Sequence, residues 1–344
     1  MTHRFSARFL AVVMAALLLT ALPALAQIQS VAAKPATAAK PWTPPKTAEG
    51  VPDFQGVWTN ATNTPLERPQ KLGAKEFYTE EEAAQLDKAE AEAAEKAAEG
   101  RQTEPGTAAD VHYDLGQFGL ARYQAKSIKN RRTSLIVGPE GRVPPTLPEA
   151  QKRQADRLAA NRGHQFDGPE NRPLSERCIV QGHEGPPMLP AGYNANLQIQ
   201  QGPGYVAIMH EMVHDTRIIP TDGSAHLAPS VRQFLGDSRG HWEGNTLVVD
   251  TTNFTDRTAF RGSGEKLHVV ERFTPTEDGI RYQFTVDDPS TWDKPWSAEI
   301  PMTKVDGRIY EYACQEGNYG MRNTLHGART TEQEEAVKTS GKTE

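Results

Sequence analysis

The sequence lacks the short motifs that mark several large enzyme classes. It contains no P-loop, no Gly-rich dinucleotide-binding fingerprint, no G-x-S-x-G nucleophile elbow and no C-x-x-C pair. These motifs place a phosphate group, a serine nucleophile or a reactive thiol. Their absence argues against nucleotide-dependent chemistry and against α/β-hydrolase chemistry.

Positive charge is also scarce. The chain has 38 Lys and Arg residues against 44 Asp and Glu residues, a formal net charge of −6. The charge becomes −8 if a leader that carries Arg4 and Arg8 is removed. Nucleic acids and anionic membrane surfaces are bound through basic patches. The sequence therefore predicts no nucleic-acid partner and favours a small-molecule ligand or substrate.

Long apolar runs are absent after the N-terminus. Arg4 and Arg8 precede the apolar run Phe9–Leu22, and Ala24–Ala26 supplies a small-x-small cleavage pattern before Gln27. This order is typical of a secretory signal peptide over residues 1–26. No other run is long enough to cross a bilayer. We therefore expect a periplasmic or secreted protein without stable membrane insertion.

Cysteine occurs twice, at positions 178 and 314. In an oxidising compartment Cys178 and Cys314 can pair and close a long loop. Two separate buried thiols are the alternative, and the sequence does not decide between them.

Composition divides the remaining chain into three parts. Residues 27–50 are rich in Ala, Pro, Lys and Thr and predict a flexible leader. Residues 51–325 form one β-rich domain, with helices predicted near 79–99, where Thr79 is a suitable N-cap, and at 148–161. Residues 326–344 are polar and predict a disordered tail.

From about Gly192 the pattern changes to short alternating runs joined by tight turns. Five such units follow one another without an intervening helix, in NLQIQQGPGYVAI, TRIIPTDGSAHL, HWEGNTLVVDTTNF, LHVVERFTPTEDGIRYQFTV and SAEIPMTKVDGRIYEYAC. Successive hairpins of this kind are typical of an antiparallel meander. We expect a mainly β fold that closes into a barrel or a strongly curved sheet, with two peripheral helices.

The segment MHEMVHD contains HEMVH, a match to the H-E-x-x-H pattern of zinc peptidases. On a helix, His210 and His214 would bind one zinc ion and Glu211 would act as base. On a strand, the same residues share a face but stand about 13 Å apart. The flanking β-branched and aromatic residues favour a strand, so we expect no metal or other cofactor, with a zinc peptidase as the alternative.

The strand interpretation leaves His214, Asp215 and Arg217 as a dense polar cluster. A histidine that faces a barrel interior can act as a general acid or base near neutral pH. A structural histidine in the core, or an exposed one, is the alternative.

Three further segments carry candidate residues. GDSRGHWEG offers Asp237, Arg239 and Trp242 for recognition of a polar ring or a carboxylate, and a packed loop is its alternative. DDPSTWDKPW offers Trp292 at a barrel mouth, or as a cap on the core. YEYACQEGNYGM offers Tyr312 and Asn318 for binding and Glu311 for acid–base work if Glu311 faces the interior of the barrel.

Several blocks resemble a largely uncharacterised family of secreted bacterial proteins over about residues 51–325. They are GVWTN, YNANLQIQQGPGYVAI, EMVHDTRIIPTDG, GDSRGHWEGNTLVVDTTNFTD, ERF, YQFTVDDPSTW and IYEYACQEGNYGM. The resemblance implies that Glu211, His214, Asp215 and Arg217 act as a unit. The Gly-x-Trp opening is similar to the start of lipocalin-like (calycin) barrels.

Together these patterns predict a β-barrel with an interior pocket for a small, partly apolar molecule. Cofactor-free acid–base catalysis, as a lyase, isomerase or hydrolase, is one form of this function, with His214, Asp215 and Arg217 in the leading roles. A ligand-binding protein without turnover is the other.

Overall fold

Nine strands form one antiparallel sheet in the computed structural model, which describes residues 42–99, 130–191, 194–258 and 260–340. The strands are β1 Gly56–Thr59, β2 Asn196–Gly202, β3 Tyr205–His210, β4 Thr216–Pro220, β5 Asp237–Glu243, β6 Thr246–Thr252, β7 His268–Thr276, β8 Gly279–Asp287 and β9 Trp296–Lys304. Their order in the sheet is β4-β3-β2-β1-β9-β8-β7-β6-β5. The strands belong to the compact unit Pro44–Glu344.

The sheet curls into a nearly closed barrel. The early strand β1 joins the two halves, since it pairs with β2 on one side and with β9 on the other. The end strands β4 and β5 share no hydrogen-bonded ladder among the described residues, but they approach closely. A Cβ placed on Gly240 of β5 would lie 3.0 Å from side-chain carbons of Ile219 and Thr221. The predicted mainly β barrel is therefore confirmed, and it has one unpaired seam between β4 and β5.

Alternating side chains fill the interior. On β7, Val269 and Phe273 point inwards, and on β8 Tyr282 and Phe284 do so, each at most 1% exposed. Tyr282 lies 4.9 Å from Phe273 and 5.7 Å from Phe284 between ring centroids. Burying an aliphatic or aromatic side chain of this size stabilises a fold by about 1.5–3 kcal/mol. This part of the barrel is thus a packed core, where the sequence led us to expect a pocket.

The described chain also has three α-helices, α1 Glu80–Glu99, α2 Pro148–Asn161 and α3 Tyr319–Ser340. Helix α1 begins with a reciprocal cap. The N–H of Glu82 donates to Oγ1 of Thr79 at 3.2 Å, and the N–H of Thr79 donates to Oε2 of Glu82 at 2.8 Å. This exchange satisfies two N–H groups that a helix start leaves free. Helix α2 docks beside β8 through Arg153, which donates to the carbonyl of Ser290 at 3.0 Å.

Helix α3 covers most of the segment for which the sequence predicts a disordered tail, residues 326–344. None of its residues is buried, so packing does not explain it. Its later part, EQEEAVK at residues 332–338, consists mostly of Glu, Gln, Ala and Lys, which favour helices. Thr330 and Thr331 also donate hydroxyl bonds to the carbonyls of His326 and Gly327.

The described part of the predicted flexible leader, residues 42–50, forms a turn against the start of the domain. The N–H of Asp53 donates to the carbonyl of Pro45 at 2.9 Å, and Lys46 pairs with Pro52 in an antiparallel bridge. Gly50 closes this turn with a φ of 79°, which glycine adopts without strain. The predicted signal peptide and residues 27–41 lie outside the described residues. No helix in the described part of the chain has the length and apolar character needed to cross a membrane.

The chain leaves the barrel after β9. The expected hairpin partner across Asp306 and Gly307 does not form, and Tyr310 and Glu311 are exposed. Instead, Cys314 forms a disulfide with Cys178, with 5.7 Å between the two Cα atoms. The open question of the two cysteines is thereby answered in favour of the disulfide.

Candidate functional site

The HEMVH segment is neither a helix nor a continuous strand. His210 ends β3, and Met212–His214 form a single 3-10 turn in which Val213 and His214 have φ angles of 63° and 49°. The turn is closed because the N–H of His210 donates to the carbonyl of Asp215 at 2.9 Å. Positive φ angles are unusual for a valine, whose branched side chain resists them. The strand expected across the motif is therefore wrong at this point.

The same turn removes the geometry that a zinc peptidase needs. His210 is buried, whereas His214 is exposed and places Nδ1 3.2 Å from the carbonyl of Tyr312. The two imidazoles do not occupy one helical face, so the zinc alternative is corrected. Among the described residues, no group of three or more His, Cys, Asp or Glu side chains is arranged to hold a metal ion.

His210 is held neutral by its surroundings. Burial, with the positive charges of Arg217 and His183, lowers the pKa of His210 to about 3. Its Nε2 atom is buried and has no hydrogen-bond partner among the described residues. Protonation of His210 would place a second positive charge beside Arg217. The imidazole therefore stays neutral and packs as part of the core.

Arg217 is the centre of a buried polar network. It comes from β4 and makes a two-pronged ion pair with Glu271 of β7, at 2.5 and 3.0 Å. The hydroxyl of Tyr282 donates to Glu271 at 2.8 Å and accepts the N–H of Met188 at 2.8 Å. Burial and the charge of Glu271 raise the pKa of Tyr282, so its phenol keeps the proton that it donates. The network fixes the guanidinium in one orientation.

A cleft of about 600 Å³ lies at the seam beside this network. Its walls are residues 215–218 of the turn and β4, residues 232–238 leading into β5, and Ile179 with Val180. We call this space the seam cleft. Asp215, Arg217 and Asp237 supply charge, while Ile218, Phe234 and Leu235 supply apolar surface. The cleft combines the two kinds of contact that bind small, partly apolar molecules.

Asp215 is the titratable group best placed for proton transfer in the seam cleft. Burial raises the pKa of its carboxyl; the N–H of Thr216 opposes this shift, the negative charge of Glu184 adds to it, and Arg217 opposes it. The net direction is upward. A half-buried carboxyl with a raised pKa holds a proton more readily than a free carboxyl does, which suits a general acid or base.

The structure separates the other residues predicted to act with Asp215. Glu211 is buried, accepts the N–H of Asn196 at 3.3 Å, and has a pKa raised by burial. It closes the turn and does not line the seam cleft. His214 points away to Tyr312, and Glu311 lies in an exposed loop. Of the predicted acid–base residues, the seam cleft thus brings together Asp215 and Arg217.

The predicted binding residues fall into three places. Asp237 lines the seam cleft. Arg239, on the outer face of β5, donates a hydrogen bond to the carboxylate of Asp237 at 2.7 Å. The two tryptophans pack in or against the core, Trp242 against Phe54 at 5.7 Å and Trp292 against Trp296 at 5.8 Å between ring centroids. Tyr312 and Asn318 line a separate cleft of about 390 Å³ beside the disulfide.

The sequence did not predict a hydrogen-bonded series of alternating His and Asp side chains on the outer face of the barrel. Nδ1 of His226 lies 2.9 Å from Asp237, and its Nε2 lies 2.9 Å from Asp250. His268 reaches the other oxygen of Asp250 at 2.6 Å. This hydrogen bond is the largest influence that lowers the pKa of Asp250 and raises that of His268. Only the register of β5, β6 and β7 brings these distant positions together.

Comparison with known proteins adds no family to this picture. No protein-family model matches the chain, and a search of curated proteins finds no significant match. The resemblance to a secreted bacterial family stays a prediction that rests on the motifs quoted above.

Proposed function

We propose that the protein binds a small, partly apolar molecule in the seam cleft. The observation that carries the proposal is the position of Arg217, whose guanidinium is fixed by Glu271 at 2.5 and 3.0 Å while the residue lines a cleft of about 600 Å³. The pair with Glu271 holds this part of the wall in place, so the wall loses little freedom when a ligand arrives. The ligand we expect has an apolar body, for contact with Ile218 and Phe234, and one polar or anionic group.

The dye 8-anilinonaphthalene-1-sulfonate has this chemistry and serves as the probe. We expect its fluorescence to rise on binding to the wild-type protein. In Thr216→Trp the added indole fills the cleft, since Thr216 lies in its wall, and dye binding should weaken about tenfold or more. Thr276→Trp adds the same side chain at an exposed position at the end of β7 and serves as the control.

Equal dye binding by both variants and the wild type would refute the seam cleft as the site. If the dye binds in the seam cleft, compounds that displace it identify the class of natural ligand. The screen uses the folded full-length protein, checked by circular dichroism.

Cofactor-free acid–base catalysis is the second candidate function, and the raised pKa of Asp215 favours it. A catalyst would convert a compound that displaces the dye, which mass spectrometry detects. Asp215→Asn would keep binding and lose conversion. A binding protein would return every such compound unchanged in both forms.

We also propose a periplasmic or secreted location. The apolar run Phe9–Leu22 behind Arg4 and Arg8 supports export, and the disulfide between Cys178 and Cys314 supports an oxidising compartment. The mass of the exported chain tests this proposal.

A further inference from the structure

A second cleft, of about 400 Å³, is rich in arginine. Its charged wall residues are Arg157, Arg172, Arg177, Arg257, Glu170 and Asp256. We call it the arginine cleft. Four guanidinium groups face two carboxylates, so these side chains carry a net charge of +2. The chain as a whole has a net charge of −6, so the cleft opposes the general charge of the protein.

Two of the four arginines are already neutralised. Arg157 of α2 pairs with Asp256 at 3.5 Å. Arg172 makes a two-pronged pair with Glu176 at 2.8 and 2.9 Å and lies 4.7 Å from the ring centre of Phe166. These contacts give Arg157 and Arg172 a structural role, so neither side chain needs a ligand to balance its charge.

Arg177 and Arg257 have no carboxylate partner among the described residues. The Nη1 atom of Arg177 is buried and has no hydrogen-bond partner there. The guanidinium of Arg257 lies 5.8 Å from the ring centre of Phe234. A buried N–H of a charged group without a partner is unfavourable. Both residues line the arginine cleft, and an oxyanion there would supply the opposing charge that they lack, because guanidinium groups bind carboxylate and phosphate oxygens with two parallel hydrogen bonds.

The backbone around Arg177 is held in place before any ligand arrives. Its N–H donates to the carbonyl of Pro173 at 3.2 Å, and the next residue, Cys178, is bonded to Cys314. Two wall residues work against an anion. The carboxylate of Glu170 forms no ion pair among the described residues, and Asn161 ends α2, where a helix C-terminus carries about half a negative charge. With the two ion pairs counted as neutral, Arg177 and Arg257 against Glu170 leave a net charge of +1, which still exceeds the partial charge of the helix end.

We propose that the arginine cleft binds a small molecule through a phosphate or carboxylate group, with Arg177 and Arg257 as the contacting residues. The site is separate from the function proposed for the seam cleft and stands or falls independently of it. The group class follows from the guanidinium geometry, and the cleft volume suits a small molecule or the anionic end of a larger one.

Titration calorimetry with inorganic phosphate and with citrate, each at matched ionic strength against sodium chloride, tests the proposal. We expect the wild type to bind at least one of the two more tightly than chloride. Arg177→Gln and Arg257→Gln should each weaken that binding about tenfold or more, since each removes a charged hydrogen-bond donor. Arg281→Gln removes the same charge from an exposed position on β8 and should leave binding unchanged.

Tighter binding of phosphate would assign a phosphorylated ligand, and tighter binding of citrate a carboxylated one. No binding above chloride by the wild type would overturn the proposal. So would an equal loss in Arg281→Gln, which would show a general charge effect. Thermal unfolding without added anion checks the fold, and Arg257→Gln, at an exposed residue, keeps the test decisive if Arg177→Gln is unstable.

Discussion

Burial of His210 makes the folded protein reject a proton that the unfolded chain accepts. The pKa of His210 falls from 6.5 to about 3 on folding, so the unfolded state binds more protons between these values. Stability therefore rises with pH across that window and is lost as the pH falls below 6.5. From pH 6.5 to pH 5 this one group should lower the free energy of unfolding by about 1.5 kcal/mol.

His210→Gln removes the titrating group and should flatten this part of the pH dependence. Urea unfolding at pH 6.5 and pH 5 measures it, with exposed His241→Gln as the control. If His210→Gln and the wild type lose the same free energy between the two pH values, the imidazole is not held neutral in the fold.

At the scale of single elements, the pair of Arg217 and Glu271 joins β4 to β7 across the barrel. Glu271→Gln would leave the buried guanidinium without an opposing charge, which typically costs about 3–5 kcal/mol. Glu243→Gln removes a carboxylate from an exposed pair with Arg272 at 2.7 Å, and solvent-screened pairs of this kind contribute little to stability. Urea unfolding at pH 7 should separate the two variants clearly. If both variants lose a similar free energy of unfolding, the buried pair contributes no more to stability than the exposed pair does.

The elements also show where sequence reasoning succeeds. Tight turns with glycine and strict alternation were sufficient to predict the hairpins β2–β3, β5–β6 and β7–β8, because a half-buried strand requires both. The same reasoning failed at HEMVH. There β-branched neighbours favour a continuous strand, but the backbone turns at Val213 and His214 with positive φ angles. Tertiary hydrogen bonds to Asn196 and Tyr312 hold that turn, and no local pattern reports them.

The candidate site was partly predictable for a related reason. Asp215 and Arg217 are conspicuous in the sequence as polar residues within an apolar run, and both line the seam cleft. The pairing of Arg217 with Glu271 is not predictable from the sequence, because the two residues are 54 positions apart. They meet only when β4 and β7 face each other. Glu311 was misplaced because alternation in YEYAC continued the pattern of β9, although the chain had already left the sheet.

For the molecule as a whole, export and disulfide formation should occur together. When the full chain is expressed in a bacterium with its N-terminal segment, we expect a periplasmic protein whose mass begins at Gln27 and whose two cysteines resist thiol labelling. A chain expressed from Gln27 onwards, retained in the cytoplasm, is the matched control and should label at both cysteines. An intact N-terminus in the periplasmic or secreted fraction would contradict the predicted signal peptide.

The disulfide between Cys178 and Cys314 has a mechanical consequence. Strands β2–β9, from Asn196 to Lys304, all lie within the covalent ring that it closes. Tension applied to the two ends of the chain passes across the sulfur bridge and bypasses these strands. Of the nine strands, β1 alone lies in the path of the force. Pulling would therefore separate β1 from β2 and β9, while the other eight strands, inside the covalent ring, would bear no tension.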